Sequence, residues 1–541
     1  MRPRPHPWTR TVALLAAPAV VLSLFFALPL ARTLEAAFPA AEAWAWFSDD
    51  YVQKRLRVAL LQAVLSVALT LALAVPLAWH HHRRALPWSR VHLAVHAAPF
   101  VLPVFVVAFG VRGLLGPGGW TESLLGAPLV VSPLASVVVA HAYYNYGFAA
   151  RLLHATLERR PHGLEDAART LGAEARGAFW RVTFPLLWPG LASVALLVFL
   201  FSFTSFGVVL ILGGREVATL ETLLYGQLGG VFRRLDRAAV LGVVQLAINV
   251  ALLLGYLALR RREPNLPRDP ARTRLPARAR DLAAQWGALL LGLAPAASVL
   301  VGAFRVRDRW TLEAWRAVFD TGHPLHLAGF DPWKALDLSV FYAAWSMGLS
   351  IGLTLLLAYG LQGLGRWPRR VAEAAAALPL GTSSLLIGFG YTLTFGAGAA
   401  LDLRGTKTLI VLAHTLVAFP FTARVLLPAL DQRDRRLDEA ATLLGARPFD
   451  IVRRVHWPQL RAPLLAAAGF ALAMSLGDFG ASLLLMRREN MALSVWIEEH
   501  RGRAFDLFTQ AQASVLTVVL MALATLAYVL VERFRAGGRD L

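Results

Sequence analysis

Apolar runs long enough to cross a bilayer as helices recur along the whole of this 541-residue chain, which leaves a polytopic membrane protein as the fold class. They fall near 11–30, 58–79, 91–114, 129–150, 187–212 and 239–259, then near 282–303, 338–360, 371–395, 407–428, 463–486 and 513–532. Twelve spans are therefore expected, the runs at 129–150 and 371–395 being the most interrupted by Gly, Pro and polar residues. The hydrophobic share of 57% and mean hydropathy of +0.54 lie far above those of an ordinary soluble domain. The leader MRPRPHPWTR is basic, as in a secretory signal, but the run behind it is long enough to span and reads as a retained first helix.

The net charge of +20 would suggest nucleic acid in a soluble protein. Here its distribution decides otherwise. With the N-terminus inside, 34 of the 54 Lys and Arg fall on inside segments and 20 on outside ones, the bias of a chain with both termini in the cytoplasm. No nucleic-acid partner is expected, and membrane lipid is. The chain has no cysteine, which excludes disulfides and thiolate metal sites.

The chain also repeats itself. LEDAARTLGAEARGAFWRVTFPLL at 164–187 returns as LDEAATLLGARPFDIVRRVHWPQL at 437–460, and an offset of 273 residues aligns them without a gap. Nine of the 22 positions from Asp166 to Leu187 are identical, against about two expected by chance in so Leu- and Ala-rich a chain. The match continues outward through His141 and His414, and downstream through Phe206-Gly207 and Phe479-Gly480. Two homologous halves follow, 1–259 and 282–541, joined by an Arg- and Pro-rich segment at 260–281. Six spans in each half require both to cross in the same direction, a parallel repeat around an axis along the membrane normal.

Each repeated loop carries an apolar face at i, i+3, i+4 and i+7, from Leu164, Ala167, Ala168 and Leu171 in one and Leu437, Ala440, Ala441 and Leu444 in the other. Acids occupy the first turn, where the helix dipole favours them, and Gly172 and Gly445 supply a helix stop. Adjacent alanines permit close approach of another chain. A hairpin packed under its own bundle is the competing reading, and duplication at the same depth in both halves argues against it.

These residues resemble the EAA motif of ABC importer permeases. The copies read Asp166-Ala167-Ala168, Gly172, Pro185 and Glu439-Ala440-Ala441, Gly445, Pro458, with Asp in place of Glu in the first. The resemblance implies an all-α permease of two fused halves, of the type I importer fold. It further implies that the loops, near 151–185 and 424–458, dock a separate ATPase present in two copies, and that an extracytoplasmic binding protein delivers the substrate. ATP and Mg would sit on that partner. The chain has no P-loop of its own: Gly405-Thr406-Lys407-Thr408 has the wrong order. No cofactor, metal site or catalytic group is expected, and the bacterial inner membrane is the expected location.

Other candidates are weaker. His80-His81-His82 are consecutive and do not converge on one helix face. His141 and His414 either line a pathway or serve as packing histidines, and Tyr144 and Asn145 in the cluster Tyr143–Tyr146 have the same two readings. Asp478 is the foremost intramembrane charge. Its repeat partner is Ser205, and with Ser202 and Ser475 it marks a polar stripe that either faces the axis or bonds helices together. Within the family the resemblance points to the thiamine and iron(III) permeases, through SFGVVLILGG, ATLETLLYGQL and SLGDFGASLLL, with LPVFVVAFGVRGLLGPGGW nearer the thiamine type. Thiamine or its phosphates is the first expectation and iron(III) the alternative. An ion-driven carrier, which needs midplane carboxylates, comes third.

Overall fold

The computed structural model describes all residues except 1–6, 131, 159–162, 215, 230–232, 263–274, 307–308, 327–328, 397–400, 503–506 and 537–541. The central part of the segment read as a linker thus lies outside the described residues. Almost all the described chain is helix, the only backbone geometry that satisfies its own polar groups within one apolar segment. In chain order the first half contributes α1 (Thr11–Ala37), α2 (Asp50–Arg83), α3 (Ser89–Ala97), α4 (Val104–Leu115), α5 (Pro133–Glu158), α6 (Gly163–Thr170), α7 (Ala175–Phe203), α8 (Phe206–Leu212) and α9 (Leu235–Arg260). The second contributes α10 (Ala279–Gly302), α11 (Pro332–Leu361), α12 (Arg366–Ala377), α13 (Ser384–Thr394), α14 (Lys407–Asp431), α15 (Arg435–Leu443), α16 (Pro448–Gly477), α17 (Gly480–Leu485) and α18 (Leu507–Ala536). The helices α1 to α9 and α10 to α18 thus follow one another in the same order in the two stretches.

Among the described residues ten helices are long and apolar enough to cross a membrane, or up to eleven if a bent pair counts as one, where twelve were expected. The difference lies in the interrupted runs. Helix α5 has the length, but His141, Asn145, Arg151 and His154 make it too polar to count. The run at 371–395 breaks by 98° between Arg366–Gly381 and Ser384–Thr394, where Pro379 opens a 3-10 turn and Ser383 starts a new helix by accepting from the Leu386 amide.

The contacts resolve two compact units, Ala36–Trp310 and Met1–Glu35 with Thr311–Leu541. Their membership differs from the sequence halves because the leading helix of each half packs with helices of the other: α10 belongs with α4, and α1 with α11. In the first unit α2 and α5 pack closely through Ala74, Ala78, Ala149 and Ala150, small residues that let helix backbones approach. On another side of α5, against α3, Gly147 is required, since a Cβ would collide with the His96 carbonyl. Helix α10 fits against Gly110 of α4, whose carbonyl accepts from the Ser298 hydroxyl at 2.9 Å. In the second unit α11, α14, α16 and α18 pack in succession. Helix α11 starts at Asp331, whose carboxylate accepts from the Trp333 and Lys334 amides, with Pro332 at the first helical position.

Candidate functional site

Each unit contains one copy of the repeated loop. In the first, α6 stops at Gly172, which takes φ = 90°; in the second, α15 stops at Gly445, with φ = 79°. The stops have the same hydrogen bonds. The Ala173 amide donates to the Ala168 carbonyl and Gly172 to Arg169; Ala446 donates to Ala441 and Gly445 to Thr442. This is the Schellman arrangement. The second alanine of each pair therefore closes the helix through its carbonyl, while Ala167 and Ala440 are exposed.

After each stop the chain turns into α7 or α16, and both pass from four α-helical residues into a five-residue π-helical segment, Phe179–Thr183 and Val452–His456. Such widened turns are rare and concentrate at functional places. Pro185 and Pro458 follow in the first turn of the membrane helix, both exposed.

The acid that anchors each loop is the one preceding the EAA acid. Glu165 accepts from the Thr183 hydroxyl at 2.8 Å. Asp438 takes the equivalent place, 2.9 Å from His456 Nε2 and 2.7 Å from Arg433 Nη2. The other ring nitrogen of His456 lies 2.8 Å from the Tyr359 hydroxyl on α11. A carboxylate only accepts, so Nε2 carries a proton toward Asp438, and Nδ1 of the neutral ring accepts from Tyr359. The chain Tyr359, His456, Asp438, Arg433 fixes α15 to the membrane helices. Glu439 is exposed and makes no ion pair among the described residues; the Asp166 side chain lies outside them. Sequence reading did not single out Glu165 and Asp438 as anchors. Their signal was a polar partner, Thr183 or His456, at one repeat position within a mostly apolar segment.

The residues named as a possible pathway lining fall within the packing of each unit. In the first, the Ser66 hydroxyl lies 3.2 Å from His141 Nδ1, Asn145 donates to the His141 carbonyl, and the Ser202 carbonyl accepts from Gln62 at 2.9 Å. All five side chains are buried. Tyr144, half-buried, packs on Phe100, and Ser205, also half-buried, precedes α8. In the second unit His414 lies 2.8 Å from Ser475 Oγ and 2.9 Å from Ser482 Oγ. Asp478, at the break between α16 and α17, accepts from the Ser482 amide and hydroxyl, each at 3.1 Å, and sits 3.4 Å from His414 Nε2. With the ring hydrogen on Nε2 the bonds run one way: Ser475 donates to Nδ1, Nε2 donates to the Ser482 hydroxyl oxygen, and the Ser482 hydroxyl donates to the carboxylate. The three consecutive histidines diverge, His80 toward the Asp281 carbonyl, His81 to Ser89 and His82 to Glu158.

The chain matches the family described as binding-protein-dependent transport system inner membrane component twice, over residues 51–263 and 349–537. It belongs to that family. Its relatives include the thiamine transport system permease protein ThiP of Salmonella typhimurium, 28% identical over 96% of this chain and 95% of the relative. ThiP of Brucella abortus is 29% identical over the same shares. The putative ferric transport system permease protein FbpB 1 of Haemophilus influenzae is 23% identical over 74% of this chain and 65% of the relative. The chain is thus a fused two-half permease of an ABC importer, a multi-pass inner-membrane protein of a family that works with an ATPase and a binding protein.

Proposed function

We propose that the chain is the translocation subunit for thiamine or its phosphates. It lies in the inner membrane with both termini in the cytoplasm, receives substrate from an extracytoplasmic binding protein, and couples to two copies of a separate ATPase through Asp166-Ala167-Ala168 with Gly172 and Glu439-Ala440-Ala441 with Gly445. The observation that carries the coupling reading is the matched geometry of the two loops: a glycine-stopped helix, an acid tied to the position 18 residues on, and a π-helical segment on each unit. Such a loop is rigid relative to its bundle. An ATPase that moves two such handles can bias the permease between two states, provided it binds those states with different affinity.

The substrate reading rests on the thiamine permeases that align over nearly the whole chain. Iron(III) is the second reading, from the shorter alignment to the ferric permease. The test reconstitutes the chain with its ATPase in nanodiscs and measures ATP hydrolysis with binding protein loaded with thiamine, thiamine diphosphate or ferric iron. Stimulation by a thiamine form is expected; stimulation by iron alone would replace the substrate assignment.

A further inference from the structure

We infer that the two loops are unequal docking surfaces and that the second, from Arg435 to Val452, is the principal anchor of the ATPase. The inference rests on the coupling reading above and adds to it which contact dominates. Both loops present one leucine at the helix stop, Leu171 and Leu444, with 89% and 88% of its surface exposed. Beside that tip they differ. The second loop adds Leu443, 88% exposed, and Phe449, 72% exposed, where the first has Thr170 and Arg176 at the same repeat positions.

Leu443 and Leu444 at the end of α15 and Phe449 in the first turn of α16 therefore give the second unit three exposed large apolar side chains between residues 443 and 449. The matching stretch of the first, 170–176, carries one, Leu171, with Trp180 beyond it 54% exposed. Protein interfaces draw most of their affinity from a few anchors, aromatic ones prominent among them, that fill pockets on the partner, and exposed apolar clusters rimmed by polar residues mark such surfaces. Arg436, Glu439 and Arg447 supply that exposed rim. The Asp438 tie to His456 and Arg433 holds the turn, so little ordering cost remains on binding. Two copies of one ATPase chain offer identical clefts, so any inequality must come from the permease. Lipid is the competing occupant of an apolar tip, and the charged rim argues against it.

Exchanging the differing side chains tests the inference. One variant carries Leu443→Thr and Phe449→Arg, the other Thr170→Leu and Arg176→Phe. Affinity for the purified ATPase is measured in nanodiscs, with monodispersity as the check on folding; all four positions are on the loops' surface, so folding is expected to hold. The first variant should bind the ATPase at least about thirtyfold more weakly, the roughly 2 kcal/mol of one hot-spot residue at 1.4 kcal/mol per tenfold. The second should bind several-fold more tightly, and Leu444→Ala should weaken binding more than Leu171→Ala. Equal losses from both loops, or unchanged affinity of the first variant beside a wild type that binds, would overturn the inequality and leave the coupling reading standing. A wild type that does not bind the ATPase would overturn both. A loss of affinity seen in nanodiscs but absent in detergent would assign Leu443 and Phe449 to lipid and also overturn the inference.

Discussion

A left-handed glycine with open space around it and a glycine wedged against a neighbouring backbone fail in different ways. At Gly445 an added Cβ meets nothing within 4 Å, so Gly445→Ala bears only the strain of the left-handed backbone, about 1 kcal/mol. The expected result is a folded permease whose amides from Leu444 to Ala446 exchange hydrogen roughly fivefold faster, since 1.4 kcal/mol is tenfold. At Gly147 the same change drives a Cβ into the His96 carbonyl between α5 and α3. Gly147→Ala should give aggregated or poorly expressed protein by fluorescence-detected size exclusion, and a normal elution profile would refute the close-packing account. Gly445 was legible because glycine follows an apolar-periodic segment. Gly147 was not, because its neighbour is a backbone atom from another helix, which leaves no mark in local sequence. The acids divide in the same way. Asp438 and Glu439 are adjacent in sequence, but 100° of helical rotation turns one toward His456 and the other to solvent.

At the scale of elements, the loop and the helix break each depend on one carboxylate. Asp438→Asn keeps the shape but weakens the bonds to Arg433 and His456, charge-assisted interactions of about 1.5–3 kcal/mol. Helix α15 should then loosen on its bundle. The expected outcome is normal membrane insertion with ATP hydrolysis no longer stimulated by loaded binding protein; full stimulation would show that the tie does not transmit the coupling. Asp478→Asn acts elsewhere. It replaces an acceptor of two Ser482 bonds beside His414 by a group that brings N–H donors into the same space, at a cost of roughly 2 kcal/mol. Detergent-solubilised protein should melt at lower temperature and transport should fall, while ATPase co-purification is kept. A melting temperature equal to wild type would refute the buried-network account. The breaks that these elements contain explain why a count of apolar runs overshoots. Hydropathy registers length and composition, whereas Pro379, Ser383 and the polar face of α5 act through turn and cap chemistry within a run.

For the whole molecule, the repeat and the packing divide the chain differently. The repeat records two equivalent stretches of sequence; the contacts place α1 with α11 and α10 with α4. Self-similarity in sequence carries no information about which copy of a neighbour a helix chooses, so this exchange was invisible before the structure. It has a mechanical consequence. In the first unit Ser298 of α10 bonds Gly110, and a Cβ at Gly110 would lie 2.6 Å from the Pro295 carbonyl. In the second unit a Cβ at Gly360 would press on Leu15 of α1. Neither half of the sequence contains all the helices of one unit, so neither should fold by itself. Co-expressed fragments 1–262 and 275–541 should still find each other, because the seams of α10 on α4 and α1 on α11 do not require the intervening peptide. The expected outcome is co-purification of the two fragments through a tag on either one, with loss of each fragment when it is expressed alone. A fragment that is monodisperse and stable alone would show that the exchanged helices are dispensable to the packing. Fragments that are stable but do not associate would place the cohesion of the permease in the linker instead. Adding Gly110→Leu to the split pair should weaken association by forcing α10 off α4 and leaving only the seam of α1 on α11, whereas in the intact chain the covalent link should preserve more of the assembly. This difference separates a defect of the seam from a general failure of the first unit to fold.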